Sequence, residues 1–386
     1  MKIPLNYRLI VAAVILGAIG LRELGGELRP SFLRPGLHLY AYVGNTGDGT
    51  LSILDLVRLS TVATVAVGSG PSGVRAHPTR KEIWGLSSAG GYAWVLDVIS
   101  NRVVSRIPVG AAPYALDFSP DGSRAYVAAS GANAVVAIDC ASRQIVARGR
   151  AGRRPWIARV SPDGKILVVS NRDDASVSLL DAASLAPLAT IAVAPDPEQI
   201  EILPDSSKAF VTSGATNQIS VVDLKQRVLL TNLEVGGTPD DLVLKPDGGE
   251  LYIPSASAHG MVIVNTQTNE VADFMLLGMS PTSATLSPDG FTLWVSDAGA
   301  NHVVQVAVQS RQIVPPGPIS VGQSPGTCAL SPYGDMLLVI DGGSNDVAMV
   351  RTKMLPASSG MLSPPSSPIT LVAVGSRPRD LAFKIF

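Results

Sequence analysis

Side chains that could bind or transform a ligand recur at one position of this sequence, directly after a repeated proline. The residues there are Ser72, Tyr114, Trp156, Glu198, Asp240, Thr282, Gly326 and Arg379. Aromatic rings beside carboxylates can hold a polar or cationic ligand, and Arg153 and Arg154 before Trp156 add an anion-binding option. The candidate ligand-binding residues are therefore Tyr114, Arg154, Trp156, Glu198, Asp240, Asp241 and Arg379. The alternative interpretation is that they are ordinary solvated loop residues.

Other chemistry is sparse. His259 and His302, with Asp297, form the one plausible metal cluster, but their spacing on loops is too loose to predict a site. A CxxCH motif is absent from the sequence, which excludes covalent c-type haem, and no G-x-S-x-G, P-loop or dinucleotide motif occurs in a suitable context. Cys140 and Cys328 lie in apolar stretches, which favours two buried thiols over a disulfide. We predict no catalytic residue, no metal site and no cofactor.

A repeat organises the positions of these residues. The prolines are Pro71, Pro113, Pro155, Pro197, Pro239, Pro281, Pro325 and Pro378, and the first five intervals are each 42 residues. Each unit contains four short apolar stretches of strand length, such as ALDF, RAYVA, AVVAID and QIVARG after Pro113. A repeat of this length with four strands predicts a β-propeller.

Two turn signals punctuate each unit. Ser119-Pro120-Asp121-Gly122 recurs as Ser161–Gly164 and Ser287–Gly290, and it predicts a hairpin turn because proline presets φ and glycine tolerates positive φ. The second signal lies 26 residues after the proline, as Asp97, Asp139, Asp181, Asp223 and Asn265. Its side chain can accept hydrogen bonds from the backbone that follows, so we interpret these carboxylates as turn formers and not as catalysts.

The two ends of the chain predict how the ring closes. Three strands, near Leu39–Val43, Leu51–Leu54 and Val62–Val67, precede the first proline, and one strand, Leu381–Phe386, follows the last. A blade shared between the two ends would leave no open sheet edge. The prediction is an all-β propeller of eight four-stranded antiparallel blades, with seven as the alternative if the last unit is irregular. That unit carries a Pro/Ser-rich insertion, Leu355–Pro368, interpreted as a surface loop.

A second set of polar residues lies four positions after the proline. Arg75, Asp117, Arg159 and Glu201 alternate in charge, and the flanking positions, such as Leu116 and Phe118, are apolar. The alternation places these charges away from the core contacts, where they would be costly unless they pair. We predict a structural ladder of ion pairs around half of the channel, and a neutral lining around the other half.

The motif series VG-x-x-P, Ser-Pro-Asp-Gly, Ala-Tyr-Val and V-x-V-x-D resembles the YVTN-type β-propeller repeat family from about Leu37 to Phe386. The resemblance implies an extracytoplasmic surface-layer, binding or scaffold protein. More distant relatives include haem d1, amine-dehydrogenase-like and lactonase-type propellers. A lactonase-type site would need several convergent carboxylates holding Ca²⁺, for which Glu198, Asp240 and Asp241 are the nearest candidates. Haem d1 would need an axial histidine near the channel.

Bulk composition narrows the class. Apolar residues make up 46% and charged residues 16%, with 30 Lys and Arg against 31 Asp and Glu. The chain can bury a large core, and its net charge gives no reason to expect nucleic acid or an anionic membrane surface as a partner. Lys2 and Arg8 precede an apolar run, Leu9–Leu21, which is typical of a signal peptide cleaved after Gly20, with an uncleaved signal anchor as the alternative.

Together these features predict a terminal targeting segment and linker over 1–36, and a single propeller domain over 37–386. Both interpretations of the segment place the propeller outside the cytoplasm, secreted, periplasmic or anchored to the membrane through that segment alone. The function predicted is a monomeric binding or scaffold protein, not an enzyme, that engages a protein or surface polymer through loops at the channel mouth. The alternatives are a hydrolase or lactonase with a carboxylate–metal site, and a haem d1-handling propeller.

Overall fold

The computed structural model describes residues 38–315, 317–352 and 369–386. The predicted targeting segment and the insertion Leu355–Pro368 lie outside the described residues. Within the described ranges, no helix has the length and apolar character needed to cross a bilayer.

Thirty-three short strands make up nearly all of the regular structure. In chain order they are β1 Leu39–Asn45, β2 Thr50–Asp55, β3 Ser60–Ala66, β4 Pro71–Ala76, β5 Glu82–Ser87, β6 Tyr92–Asp97, β7 Arg102–Pro108, β8 Pro113–Phe118, β9 Arg124–Ala129, β10 Ala134–Asp139, β11 Gln144–Arg150, β12 Pro155–Val160, β13 Ile166–Asn171, β14 Ser176–Asp181, β15 Pro187–Ala192, β16 Pro197–Ile202, β17 Lys208–Ser213, β18 Gln218–Asp223, β19 Val228–Glu234, β20 Val243–Leu244, β21 Glu250–Ser255, β22 Gly260–Asn265, β23 Glu270–Leu276, β24 Pro281–Leu286, β25 Thr292–Asp297, β26 His302–Ala307, β27 Gln312–Ile313, β28 Ile319–Ser320, β29 Pro325–Leu330, β30 Met336–Asp341, β31 Asp346–Arg351, β32 Ile369–Ala373 and β33 Pro378–Ile385.

These strands form eight antiparallel sheets, which confirms the eight-bladed propeller. We number the blades around the ring: blade 1 is β33 with β1 to β3, blades 2 to 6 follow in groups of four from β4 to β23, blade 7 is β24 to β28, and blade 8 is β29 to β32. The outer strand of blade 7 is split into β27 and β28, which both pair with β26. Pro315 and Pro318 lie between the two pieces, and proline cannot donate to the ladder.

Blade 1 closes the ring as the sequence predicts. The last strand, β33, pairs antiparallel with β1 from Leu39↔Ile385 to Val43↔Leu381, so the end of the chain supplies the innermost strand of a blade begun at its start. Beyond the ladder, the N–H of His38 donates to the carbonyl of Phe386 at 3.3 Å, and the N–H of Phe386 donates back at 3.1 Å. All strands of the closed ring therefore lie within residues 38–386.

Both predicted turn types are confirmed. In the first, the Oγ of Ser119 donates to Asp121 Oδ1 at 2.6 Å, the N–H of Ser123 donates to the same oxygen at 3.0 Å, and Gly122 has a φ of 69°. In the second, the carboxylate of Asp139 accepts the N–H of Ser142 at 2.7 Å. These hydrogen bonds replace the ladder bonds that the backbone loses at each reversal.

The core lies between neighbouring blades, where the inner faces of their strands pack together. Trp84 of blade 2, fully buried, meets Phe118 of blade 3 edge-on at 5.8 Å between ring centroids. Cys140 and Cys328 are both free and buried, as expected. Burial raises the pKa of each thiol to about 12, so neither is a nucleophile near neutral pH.

Candidate functional site

The loops before each first strand and those between the second and third strands lie together on one face. The N–H of Ser88 donates to Gly70 at 3.1 Å, and the N–H of Arg172 donates to Arg154 at 3.1 Å, so each loop of one type is bonded to the other within its blade. The first strands are the innermost of their blades and line the channel. We call the ring of residues that follow the repeated prolines the channel mouth.

Two aromatic side chains of neighbouring blades stack at the channel mouth. The rings of Tyr114 in blade 3 and Trp156 in blade 4 are 3.4 Å apart between centroids, with an interplanar angle of 20°. The guanidinium carbons of Arg172 and Arg154 lie over the indole at 4.5 and 5.5 Å. Cations over an indole face are attracted by its quadrupole, so the aromatic pair holds positive charge at the mouth.

Arg172 fixes this cluster in place. Its Nη2 lies 2.8 Å from Glu198 Oε1 and donates to Asp196 Oδ2 at 2.6 Å, and its side chain is only 16% exposed. These hydrogen bonds raise the pKa of Arg172 and lower the pKa of Asp196. The charge is therefore permanent, and its geometry is set by two carboxylates of blade 5.

Sequence reasoning missed Arg172 and Asp196, although a signal exists in the sequence. The residue that follows the second strand in each unit is Thr46, Ser88, Ser130, Arg172, Gly214, Ala256, Ala298 and Gly342. Among these eight residues, Arg172 is the one with a charged side chain. Comparing the units at this position, as well as at the position after the proline, would have found it.

Arg379 connects the aromatic pair to blade 1. Its Nη2 donates to the Tyr114 hydroxyl at 2.8 Å, and its guanidinium carbon lies 5.7 Å from the centre of that ring. Because Arg379 begins β33 and Tyr114 lies two blades away, this contact reaches across the mouth above blade 2. The cluster Arg379, Tyr114, Trp156 and Arg172 thus forms a cap on one side of the channel, called here the aromatic cap.

A pocket of about 510 Å³ adjoins the aromatic cap between blades 2 and 4. Its lining includes Ser88, Tyr114, Asn133, Arg153, Arg154 and Trp156. The side chain of Arg154 is 49% exposed and its only ion pair here is with Asp173, at 3.4 Å from Nη1 to Oδ1. An exposed guanidinium beside an aromatic wall is suited to an anionic or hydroxylated group.

The acidic members of the predicted site are spread around the ring. Glu198 is used by Arg172, and burial raises its pKa more than Arg172 lowers it. Asp240 accepts the N–H of Ala256 at 2.6 Å, and burial raises its pKa as well. Asp241 is placed deeper, inside the channel, where it accepts hydrogen bonds from the N–H of Leu242 at 2.9 Å and the Oγ of Ser283 at 3.0 Å.

The four residues of the predicted ladder all face the channel. Arg159 Nη1 lies 3.8 Å from Asp117 Oδ1, and Asp117 also accepts the N–H of Val160 at 3.1 Å. Burial alone would lower the pKa of Arg159, but Asp117 and Glu201 outweigh it and raise that pKa. Burial and repulsion from Arg159 lower the pKa of Arg75. One contact of the ladder is therefore a direct ion pair, and the others act at longer range.

Glu201 is a strongly perturbed carboxyl group of this channel lining, and burial raises the pKa of Asp241 as well. Burial raises the pKa of Glu201 to about 7, because the attraction of Arg159 does not offset desolvation and the repulsion of Asp241. Asp241 adds a carboxyl group to the ladder, whereas the sequence predicted that this residue lies at the channel mouth. Its presence opposite Arg159 follows from the short strand β20, which starts at Val243 and leaves Asp241 in an irregular segment.

The histidines do not converge on a site in the described part of the chain. His302 Nε2 lies 3.8 Å from Asp297 Oδ2, but that carboxylate already accepts N–H groups from Met279 at 2.7 Å and Ser280 at 2.9 Å. His259 Nδ1 lies 2.5 Å from the carbonyl oxygen of Met279. His77, on the opposite face, accepts the N–H of Arg80 at 3.0 Å and occupies the position that Ser119 has in the turn of the next unit. No group of three metal-ligating side chains occurs within the described ranges.

Comparisons with known proteins identify the fold of this chain but not its family. No family model matches the sequence, so the resemblance to YVTN-type repeats stays a prediction, and no curated protein matches it either. Among solved structures, "Dihydro-heme d1 dehydrogenase NirN in complex with DHE" is similar with a TM-score of 0.71 and 16% identity, covering 89% of this chain and 74% of that one. "Kuenenia stuttgartiensis Hydrazine Synthase" is similar with a TM-score of 0.58 and 19% identity, covering 73% and 96%. At these identities the likeness shows the propeller fold alone.

Proposed function

We propose that this propeller is an extracytoplasmic binding protein that engages a protein or surface polymer through the channel mouth. The observation that carries the proposal is the stacked pair of Tyr114 and Trp156, which lines a pocket of about 510 Å³ together with the half-exposed guanidinium of Arg154. Preorganised cations next to an aromatic wall lower the entropic cost of holding an anionic group. The partner chemistry that fits is therefore an acidic segment of a protein or polymer.

The buried acidic residues support binding over catalysis. Glu198 is engaged by Arg172, Asp240 by a backbone N–H, and Asp241 by Ser283. A hydrolase or lactonase of the metal type would need such carboxylates to converge on one point. Their present partners lie in different blades, so this alternative receives less support than binding does.

The haem d1 alternative draws on one observation, the structural similarity to the dihydro-haem d1 dehydrogenase NirN. A planar macrocycle with carboxylates would suit the arginines of the aromatic cap. An axial ligand is the difficulty, because His259, in a loop, is engaged by the carbonyl of Met279, and His302, at the start of β26, is engaged by Asp297. Adding haem d1 to the purified protein tests it: a shifted visible spectrum at one equivalent would replace the proposal of a binding protein for acidic polymers.

The principal test is calorimetry with two defined acidic probes, an oligogalacturonate and an oligoglutamate. We expect one of the two to bind, and Arg154→Gln and Trp156→Leu to weaken that binding at least tenfold, since a charge-assisted hydrogen bond contributes about 1.5–3 kcal/mol. Arg80→Gln removes a charge from the opposite face and is the matched control. If neither probe binds, or if the mouth and control variants bind alike, the proposal is wrong.

A further inference from the structure

Exposed arginines are concentrated on the outer edges of two neighbouring blades. On β7 the outward-facing residues include Arg102, Val104 and Arg106, and on β11 they include Val146, Arg148 and Arg150. Alternation along a strand places every second side chain on the same face. Each of these two strands therefore presents two arginines and one valine in a row; the valine lies between the arginines on β7 and before them on β11. Four guanidinium groups therefore share one side of the molecule.

The outer strands of the other blades differ. Their exposed residues are Val62, Thr64 and Ala66 on β3, Pro187, Thr190 and Ala192 on β15, Val228, Leu230, Asn232 and Glu234 on β19, Glu270, Val271, Ala272, Phe274 and Leu276 on β23, Gln312 and Ile313 on β27, Ser320 on β28, and Leu371 and Ala373 on β32. These rows are neutral or carry a single glutamate. The net charge of −1 for the whole chain thus conceals a local excess of positive charge on blades 2 and 3.

These arginines are not neutralised by the described residues around them. Arg106 lies over the Tyr92 ring at 5.7 Å, and Arg148 donates to the carbonyl of Val109 at 3.2 Å. None of the four forms an ion pair with a carboxylate in the part of the chain that the structure describes. Their charge is therefore available to an external anion.

Exposed aliphatic side chains accompany the arginines. Val62, Val104 and Val146 occupy the same position in blades 1, 2 and 3, and they are 39%, 45% and 49% exposed. Ile99, in the turn that leads into β7, is 60% exposed, and Val57 in the equivalent turn of blade 1 is 44% exposed. The equivalent Leu230 of blade 5 is 42% exposed as well, but its strand carries no arginine, so among the described outer strands exposed arginines accompany this aliphatic position only in blades 2 and 3. Apolar side chains combined with basic ones suit an anionic lipid interface.

The start of the ring lies next to this surface. His38 precedes β1 in blade 1, on the face that carries the turns of Val57 and Ile99. In the sequence, 16 residues separate the apolar run Leu9–Leu21 from His38. Sixteen residues span at most roughly 50–60 Å when extended, so a bilayer that held this run would be within reach of blades 1 to 3.

We propose that the outer edges of blades 1 to 3 dock on an anionic lipid bilayer, with Arg102, Arg106, Arg148 and Arg150 contacting the headgroups. We call this surface the arginine edge. It revises the expectation, drawn from net charge, that an anionic membrane surface is not a partner. It leaves the channel mouth free, since the mouth opens along the ring axis and the arginine edge lies on its circumference.

The test is co-sedimentation of residues 38–386, which include every strand of the ring, with lipid vesicles. Circular dichroism first checks that this part of the chain is folded. We expect binding to vesicles of phosphatidylcholine with about 30% phosphatidylglycerol and none to phosphatidylcholine alone. Raising NaCl from about 0.1 to about 0.5 M should release the protein, because the Debye length shortens below the spacing of the charges.

Paired variants separate this surface from general charge effects. Each basic residue near an anionic surface contributes about fivefold in affinity, so Arg148→Gln with Arg150→Gln should weaken vesicle binding by about 25-fold. Lys225→Gln with Arg227→Gln removes the same charge at the same spacing from a turn of blade 5 and should leave binding unchanged. Arg154→Gln at the channel mouth should also bind vesicles normally. Loss of ligand binding at the channel mouth can therefore be told apart from loss of vesicle binding at the arginine edge.

Three outcomes would overturn the proposal. The first is no binding to anionic vesicles by folded protein. The second is an equal weakening of vesicle binding by the blade 3 and blade 5 variants, which would mean that binding depends on net charge and not on this surface. The third is tight binding of polyphosphate, a soluble polyanion, without vesicle binding, which would make the partner a polymer and not a bilayer.

Discussion

Asp341, which is buried, faces the carboxyl group of Asp346 at positions where blades 1 and 4 have a matched donor and acceptor. In blade 4 the same two positions are Asn171 and Ser176, and the amide Nδ2 donates to the hydroxyl at 3.1 Å. Asp341 is fully buried, and neither of its oxygens has a well-formed hydrogen bond within the described chain. Burial and the neighbouring Asp346 raise the pKa of Asp341 to about 8. The folded protein therefore retains a proton there at neutral pH.

The sign of the effect on stability follows from the raised pKa. In the unfolded chain Asp341 loses its proton near its ordinary value of 3.8, whereas in the folded chain it keeps the proton until about pH 8. Its contribution to stability is fully present below the ordinary value and is lost as the pH rises through the raised one. Each pH unit in this window costs about 1.4 kcal/mol, so the loss between pH 5 and pH 7 is about 3 kcal/mol.

Asp341→Asn should remove this dependence, because the introduced amide can donate to Asp346 as the Asn171 amide donates in blade 4. We expect the difference in free energy of unfolding between variant and wild type to grow in favour of the variant by about 3 kcal/mol from pH 5 to pH 7. Urea denaturation at half-unit pH steps measures it. If the difference in free energy of unfolding between variant and wild type stayed constant from pH 5 to pH 7, Asp341 would not retain a proton in the folded protein.

Asp297→Asn is the matched control, since Asp297 occupies the position of Asp341 in blade 7. There the carboxylate accepts backbone N–H groups, including those of Met279 at 2.7 Å and Gly299 at 2.9 Å. Replacing an acceptor oxygen by an NH₂ group leaves buried donors without a partner, which costs about 1–3 kcal/mol. The same substitution should therefore destabilise blade 7 and stabilise blade 8 at neutral pH.

Three further predictions concern the ring and the channel. Deleting Leu381–Phe386 removes most of β33 and exposes β1, so thermal unfolding should shift down by many degrees for the whole ring, and an unchanged midpoint would mean that blade 1 does not depend on it. Glu201→Gln should remove a fall in stability between about pH 4.5 and pH 7, because the raised pKa of Glu201 makes its contribution vanish as pH rises through about 7; by urea denaturation the variant should gain about 3 kcal/mol relative to wild type from pH 4 to pH 8. Arg172→Gln should change the fluorescence of Trp156, because the indole loses the guanidinium that lies over it, and should leave the far-ultraviolet circular dichroism unaltered, because no strand is affected. Identical emission spectra for variant and wild type would argue against the contact between Arg172 and Trp156.

Most of the fold could be predicted from sequence, because the signals that fix it are local. The turn of Ser119–Gly122 is made by hydrogen bonds within five residues, and its recurrence every 42 residues counts the blades. Even the closure of blade 1 is visible in the incomplete strand sets at the two ends. The split outer strand of blade 7 was not predicted, although Pro315 and Pro318 mark the place.

The candidate site was predicted less completely, because its geometry depends on contacts between blades. The position after each proline groups Tyr114 with Trp156 in the sequence, but only the structure shows that their rings stack. Arg172 comes from a different loop and was missed. Asp241 was placed at the mouth with Asp240, whereas the short β20 directs it into the channel.

The sequence by itself determined the number of blades, the shared blade and the residues that ring the channel, since a repeat of constant length places equivalent residues at equivalent heights. Which of those residues touch one another was decided by the tertiary structure. Side chains of adjacent blades reach across a gap that no local pattern encodes, as Arg379 does to Tyr114. The same is true of the arginine edge: two rows of arginine 42 to 48 residues apart become one surface only when the ring sets β7 beside β11.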